Sequence, residues 1–174
     1  KITQKFWDFP PEIKYDYINF YLGERKMQLR YFNQPHFENG SLKLISQVLK
    51  EHGINKPLIC TDPGLVAIGM TDKIRSLLSN ELSPAFYTDT PANPTEQAVN
   101  DALEMYKKND CDGVVGFGGG SSMDLAKTVA LMANHEGNVV DYSVNEGGTG
   151  KITETVPTIA IPTTSGTGSE VSLG

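Results

Sequence analysis

The chain has 174 residues, 39% hydrophobic and 21% charged, an ordinary globular composition with enough length to bury a core. Its 21 acidic and 15 basic residues give a formal net charge of −6 and a pI near 5.0, without any lysine or arginine run. Such a surface repels phosphate backbones, so nucleic acid is excluded as an expected partner.

The amino terminus, KITQKFWDFPPEIKYDY, interrupts its apolar residues with charges and prolines and does not read as a signal peptide. No window holds the roughly 18 consecutive apolar residues of a membrane helix. Cys60 and Cys111 are the only cysteines, too few for a disulfide framework. A cytoplasmic protein with no membrane partner is the expectation. Residues 1–38 carry Phe6, Trp7, Phe9, Tyr15, Tyr17, Phe20, Tyr21, Tyr31, Phe32 and Phe37, ten of the fifteen aromatics. They read as an irregular arm, packed either on its own domain or on a second subunit of a homo-oligomer.

From residue 39 a regular alternation begins. Leu42, Ile45 and Leu49 recur at helical spacing, and Gly53 stops that helix. Leu58–Thr61 reads as a strand, and a helix is expected from about Leu65 to Leu78, weakened by Gly69. AFYTD (85–89) is a second strand. The next helix is expected to start with Asn93 as N-cap, Pro94 at its first position and Glu96 completing a capping box. Lys107 and Lys108 suit its carboxyl end. GVVGF is a third strand, followed by glycines and another helix, and TIAIP is a later strand. This order predicts an α/β fold: a Rossmann-like parallel sheet with helices on both faces and ligands at the strands' carboxyl ends.

The strongest local feature is Gly116-Phe117-Gly118-Gly119-Gly120-Ser121-Ser122-Met123-Asp124 at a strand-to-helix junction. Three successive glycines let a ligand approach the backbone, and the amides opening the helix favour an anion such as phosphate. A tight turn capped by Ser121, with Asp124 closing a capping box, explains Asp124 but not three glycines. The usual fingerprints fail: GxGxxG needs glycine where Ser121 stands, and a Walker loop needs a lysine after its last glycine. Asp62, ending the first strand, suits a ribose diol and would repel a 2′-phosphate. An ordinary Asp-Pro turn is the competing reading. A second loop, Pro162-Thr163-Thr164-Ser165-Gly166-Thr167-Gly168-Ser169-Glu170, sets hydroxyls on a flexible backbone and suits phosphate, ribose or a nicotinamide amide.

GGGSSMDLAK (118–127) and PTTSGTGSEV (162–171), with TDPGL (61–65) and PANPT (91–95), resemble the iron-containing, or group III, alcohol dehydrogenases. The resemblance covers roughly residues 37–174. Where that family commonly shows Phe-Gly-x-Gly, this chain has Phe37-Glu38-Asn39-Gly40. The resemblance implies a dehydroquinate synthase-like nucleotide domain followed by an all-helical domain that holds a divalent metal, iron or zinc. It implies hydride transfer between an alcohol or aldehyde and NAD, with Asp62 favouring NAD over NADP. By position, Gly119, Gly120, Ser121, Ser122 and Met123 would bind the pyrophosphate beside Gly118, and Asp62 the adenosine ribose. Asn93, Thr163, Thr164 and Thr167 would lie along the cofactor.

The family's metal ligands follow the segment resembling SGTGSEV, and this chain stops at Gly174, inside an expected strand. His36, His52 and His135 show no ligand spacing and read as surface or turn histidines. No metal site and no catalytic residue are therefore expected here. The chain is expected to be a truncated or excised cofactor domain, residues 39–174 behind the arm, that binds nucleotide without turning over alcohol. Two alternatives stand: a related glycerol dehydrogenase or dehydroquinate synthase, and a non-catalytic nucleotide-binding or interaction module.

Overall fold

A computed structural model describes residues 16–22, 25–31, 35–143 and 147–170. The chain divides into two units between Phe37 and Glu38. In the first, β1 (Asp16–Leu22) pairs antiparallel with β2 (Arg25–Tyr31), Leu22 opposite Arg25 and Asp16 opposite Tyr31. The expectation of an irregular arm is thus corrected for these residues. β1 carries Tyr17, Ile18, Phe20 and Tyr21, which suit a pleated strand, β2 alternates Met27, Leu29 and Tyr31 with Lys26, Gln28 and Arg30, and only two residues separate them, the spacing of a hairpin. Phe6, Trp7, Phe9, Tyr15 and Phe32 lie outside the described residues.

The second unit holds a four-stranded parallel sheet. A 3₁₀ turn (Ser41–Leu44) leads into α1 (Ile45–Glu51), which buries Ile45, Val48 and Leu49, and Gly53 follows at φ 71°. After β3 (Pro57–Cys60) the expected single helix is instead two, α2 (Pro63–Ala67) and α3 (Met70–Leu77). Gly69 divides them because it takes φ 74°, a left-handed conformation that no helix interior contains. Next come β4 (Ala85–Tyr87), α4 (Glu96–Lys108), β5 (Gly113–Gly118), α5 (Gly120–Met132) and β6 (Thr158–Pro162).

The strand order is β4-β3-β5-β6, all parallel. β3 and β5 are central and buried along their whole length, and their side chains alternate between two cores. Leu58, Cys60 and Val114 pack with Ala98, Val99 and Ala102 of α4 and Leu125, Ala126 and Val129 of α5. Ile59, Val115 and Phe117 face Ile45, Leu49 and Ile74 of α1 and α3. The sheet is therefore covered on both faces, as expected of parallel strands. Each large aliphatic side chain so buried contributes roughly 1.5–3 kcal/mol.

Two polar fasteners hold the sheet's connections. The Asp112 carboxylate accepts from the amides of Asn55 (2.9 Å) and Lys56 (2.8 Å), joining the segments that lead into β3 and β5. His135, expected to be a surface or turn histidine, is half-buried at the end of α5. Its Nε2 accepts from the Thr153 amide (3.1 Å), so Nδ1 carries the proton and donates to the Leu131 carbonyl (2.7 Å). The end of α5 is thereby tied to the segment that leads into β6.

Candidate functional site

The chain runs from β3 outward to β4, then returns across β3 to β5. The connections therefore leave in opposite directions from β3 and β5, and it is above the carboxyl ends of such a strand pair that parallel sheets form their ligand crevice. Asp62 stands on one wall, immediately after β3. Gly118–Ser121 form the other, and Thr163–Thr167 follow β6 beside them. The Thr163 amide donates to the Gly118 carbonyl at 2.9 Å, and Thr164 Oγ1 lies 3.4 Å from where a Cβ on Gly119 would stand.

Gly116 and Gly118 are required by space. A Cβ on Gly118 would lie 2.4 Å from Ser122 Oγ and 3.2 Å from Asp62 Oδ2, and this residue adopts φ 156°. A Cβ on Gly116 would lie 2.8 Å from Met123 Cα, so this glycine lets α5 pack against β5 at backbone distance. Gly119 and Gly120 stay partly exposed at the amino end of α5, where free amides and the helix dipole favour an anion.

Asp62 forms the Asp-Pro turn that is one of its two sequence readings. Its Oδ1 caps α2 by accepting from the Leu65 amide (3.1 Å), while Oδ2 is the oxygen turned toward Gly118. A carboxylate with one oxygen engaged keeps acceptor capacity for a diol on the other.

Several local expectations are corrected. Asn93 does not cap α4. Thr95 does, its hydroxyl accepting from the Ala98 amide at 3.2 Å, while Asn93 is exposed at φ 57° and its amide donates to Ser121 Oγ at 3.2 Å. Pro94 consequently precedes the helix rather than opening it. Ser121 does not cap α5 either, so no capping box with Asp124 forms there. The N-cap is Gly119, and Ser121 sits inside the first turn, where its hydroxyl holds the Asn93 loop.

Not every expected cofactor residue offers its side chain. Ser122 and Met123 are each 1% exposed and turn into the core, leaving only their backbone for a ligand. Thr167 is engaged within its loop, donating to Glu170 Oε2 (3.1 Å) and accepting from the Ser169 amide (3.3 Å). Thr163 and Thr164 remain exposed. Beneath the crevice the hydroxyls of Thr61, Thr90 and Ser122 are buried without a hydrogen-bond partner among the described residues. The composition of strand-end residues does not reveal such burial in advance. Beside the crevice, a groove of about 360 Å³ is lined by Thr95, Glu96 and Val99 of the α4 end, Asp124 and Thr128 of α5, and Val139 and Val140.

Cys60 lies just below Asp62, but burial, more than the nearby Cys111, pushes its thiol far above the usual range. A neutral buried thiol is no nucleophile. Among the described residues, no group of three or more His, Cys, Asp or Glu side chains could hold a metal ion. The described residues at the strand ends offer backbone amides and hydroxyls that suit a dinucleotide, and no metal-ligand cluster forms among them.

The chain matches the family model of iron-containing alcohol dehydrogenases over residues 33–173. It is 43% identical over 145 residues to a 4-hydroxybutyrate dehydrogenase of Cupriavidus necator, covering 83% of this chain and 38% of that protein. Among solved structures it is similar to sulfoacetaldehyde reductase from Bifidobacterium kashiwanohense in complex with NAD+. That likeness has a TM-score of 0.68 and 32% identity, over 78% of this chain and 35% of the other. The NADH-dependent butanol dehydrogenase A of Thermotoga maritima matches with a TM-score of 0.67 and 30% identity, over 75% and 32% of the two chains. The chain spans about a third of the length of these relatives. With glycine loop, strand-end aspartate and hydroxyl loop brought to one crevice and the match running through all three, the chain belongs to the iron-containing alcohol dehydrogenase family.

Proposed function

We propose that this chain supplies the NAD site of an oxidoreductase that moves hydride between an alcohol or aldehyde and the nicotinamide. The observation that carries the reading is the meeting of Asp62 with Gly118–Ser121 where the sheet's connections reverse. The pyrophosphate would lie over the amides of Gly119, Gly120 and Ser121 at the amino end of α5. Asp62 would accept from the adenosine ribose through Oδ2, and its charge would repel the 2′-phosphate of NADP. Thr163 and Thr164 would flank the cofactor from β6. Relatives named for 4-hydroxybutyrate, butanol and sulfoacetaldehyde support a small alcohol or aldehyde as substrate. Hydride chemistry belongs to the nicotinamide, and this chain's residues bind and orient it. No step is assigned to a metal, since the described residues offer none a site.

Calorimetric titration of the metal-free chain with NAD and NADP tests this reading. NAD is expected to bind more tightly than NADP. Asp62→Asn, which keeps a capping oxygen but removes the charge, is expected to narrow that preference and weaken NAD. Equal affinity for both nucleotides, unchanged by Asp62→Asn, would refute the assignment.

A further inference from the structure

Asn93 adopts φ 57° although it is exposed, is not glycine and precedes Pro94. A residue before proline is normally driven to extended conformations, so its position before Pro94 works against this one even though asparagine tolerates positive φ. Such outliers persist where the surroundings fix them, and they cluster at functional sites. What the conformation delivers is one bond, from the Asn93 amide to Ser121 Oγ at 3.2 Å. That bond joins the β4–α4 loop to the first turn of α5, inside the glycine-rich wall of the crevice.

The consequence lies in the hydroxyl's own proton. A serine hydroxyl has one donor and two acceptor positions. With a lone pair taken by the Asn93 amide, the hydroxyl cannot spin freely, and its O–H is directed away from that amide. Ser121 is half-buried at the positive end of α5, beside the amides of Gly119 and Gly120. A donor fixed there before the ligand arrives loses less rotational freedom when a phosphate oxygen accepts from it.

We infer that Asn93 is a positioning residue: its left-handed backbone, not its amide side chain, holds the Ser121 hydroxyl as a preset donor for a dinucleotide phosphate. This rests on the nucleotide reading above and deepens it. It also accounts for asparagine at the position, since asparagine and glycine tolerate positive φ where alanine does not.

The test compares Asn93→Gly with Asn93→Ala for NAD affinity, by titration, alone and combined with Ser121→Ala. Asn93→Gly is expected to bind NAD within about two-fold of the wild-type chain. Asn93→Ala is expected to bind roughly 5–10-fold more weakly, from the cost of a left-handed alanine. In the Ser121→Ala background, the two Asn93 substitutions should become indistinguishable, a coupling that a purely structural role for the loop would not produce. Equal loss in Asn93→Gly and Asn93→Ala would mean that the side chain itself touches the ligand, and overturns the inference. Amide exchange of the ligand-free chain judges the latch separately: the Asn93 amide should exchange faster in Ser121→Ala. No change there overturns the inference even if NAD fails to bind, whereas failure of NAD alone overturns the nucleotide reading.

Discussion

The amide of Thr163 donates to the carbonyl of Gly118 across 2.9 Å, just where β5 and β6 end and their two loops begin. The bond carries the parallel ladder one step beyond the strands, so the glycine loop and the hydroxyl loop are set by one backbone register. Polar groups of both loops then face one crevice without either loop needing a rigid sequence of its own.

The three glycines are unequal. Gly118→Ala would place a methyl 2.4 Å from Ser122 Oγ at φ 156°, so it is expected to destabilise the fold by about 2 kcal/mol or more. Gly119 has φ −75°, and its nearest outside atom would be Thr164 Oγ1 at 3.4 Å. Gly119→Ala should therefore keep stability within about 1 kcal/mol while its methyl, standing between the loops, weakens NAD roughly ten-fold or more. Urea denaturation paired with NAD titration separates the two effects. Similar stability losses in both variants would contradict this division.

Asp112 holds the amides of Asn55 and Lys56 at the end of the sheet opposite the crevice. Removing a charged acceptor from two amides costs about 1–2 kcal/mol, moderated here because both donors can reach water. Asp112→Ala is expected to lower the urea midpoint by that amount and leave NAD affinity unchanged. Asp112→Asn, which retains one accepting oxygen, should lose less. An Asp112→Ala variant as stable as the wild-type chain would show that the strand pairing alone sets the sheet's register.

Burial foremost pushes the Cys111 thiol up to about 11, and it raises Cys60 further. Unfolded, such thiols titrate near pH 8.5–9. Above that range the unfolded chain releases protons that the folded chain keeps, so stability is full below about pH 8.5 and falls as pH rises toward the folded values. Tyr87 and Tyr106, also raised chiefly by burial, act in the same direction. The urea midpoint should therefore drop between pH 8 and pH 10.5, and replacing both cysteines with alanine should flatten part of that drop. Native thiols should resist alkylation at pH 8 and react once the chain is unfolded. Rapid native alkylation at that pH would contradict the burial argument.

The strand and helix order from Ser41 onward was legible because apolar residues recur at the periods that two faces of a buried sheet require. The glycine loop was legible because only glycine permits what Gly118 and Gly116 do, and steric exclusion leaves a mark in the residue itself. Gly69 only weakened the expected single helix from Leu65 to Leu78, and its left-handed φ of 74°, which divides α2 from α3, was not legible. The family resemblance rested on motifs that cluster at the strand ends, where the sheet brings them together.

Other features had no local signature. Asn93 and Pro94 satisfy the chemistry of a helix start as well as Thr95 does. Asn93 takes positive φ, with its amide bonded to Ser121, 28 residues away in sequence, and α4 starts after Thr95 instead. Whether Ser122 faces ligand or core depends on the rotation of α5 about its axis, set by the packing of Leu125, Ala126 and Val129 against the sheet. The pairing of β1 with β2, and the Asp112 and His135 fasteners, join residues whose types fit many surroundings. The sequence by itself determined which residues could enter a strand, a helix or a tight glycine loop, since those limits are steric and local. Only the tertiary structure decided which hydroxyls remain free, which carboxylate oxygen faces the crevice and where each helix begins, because those depend on partners far along the chain.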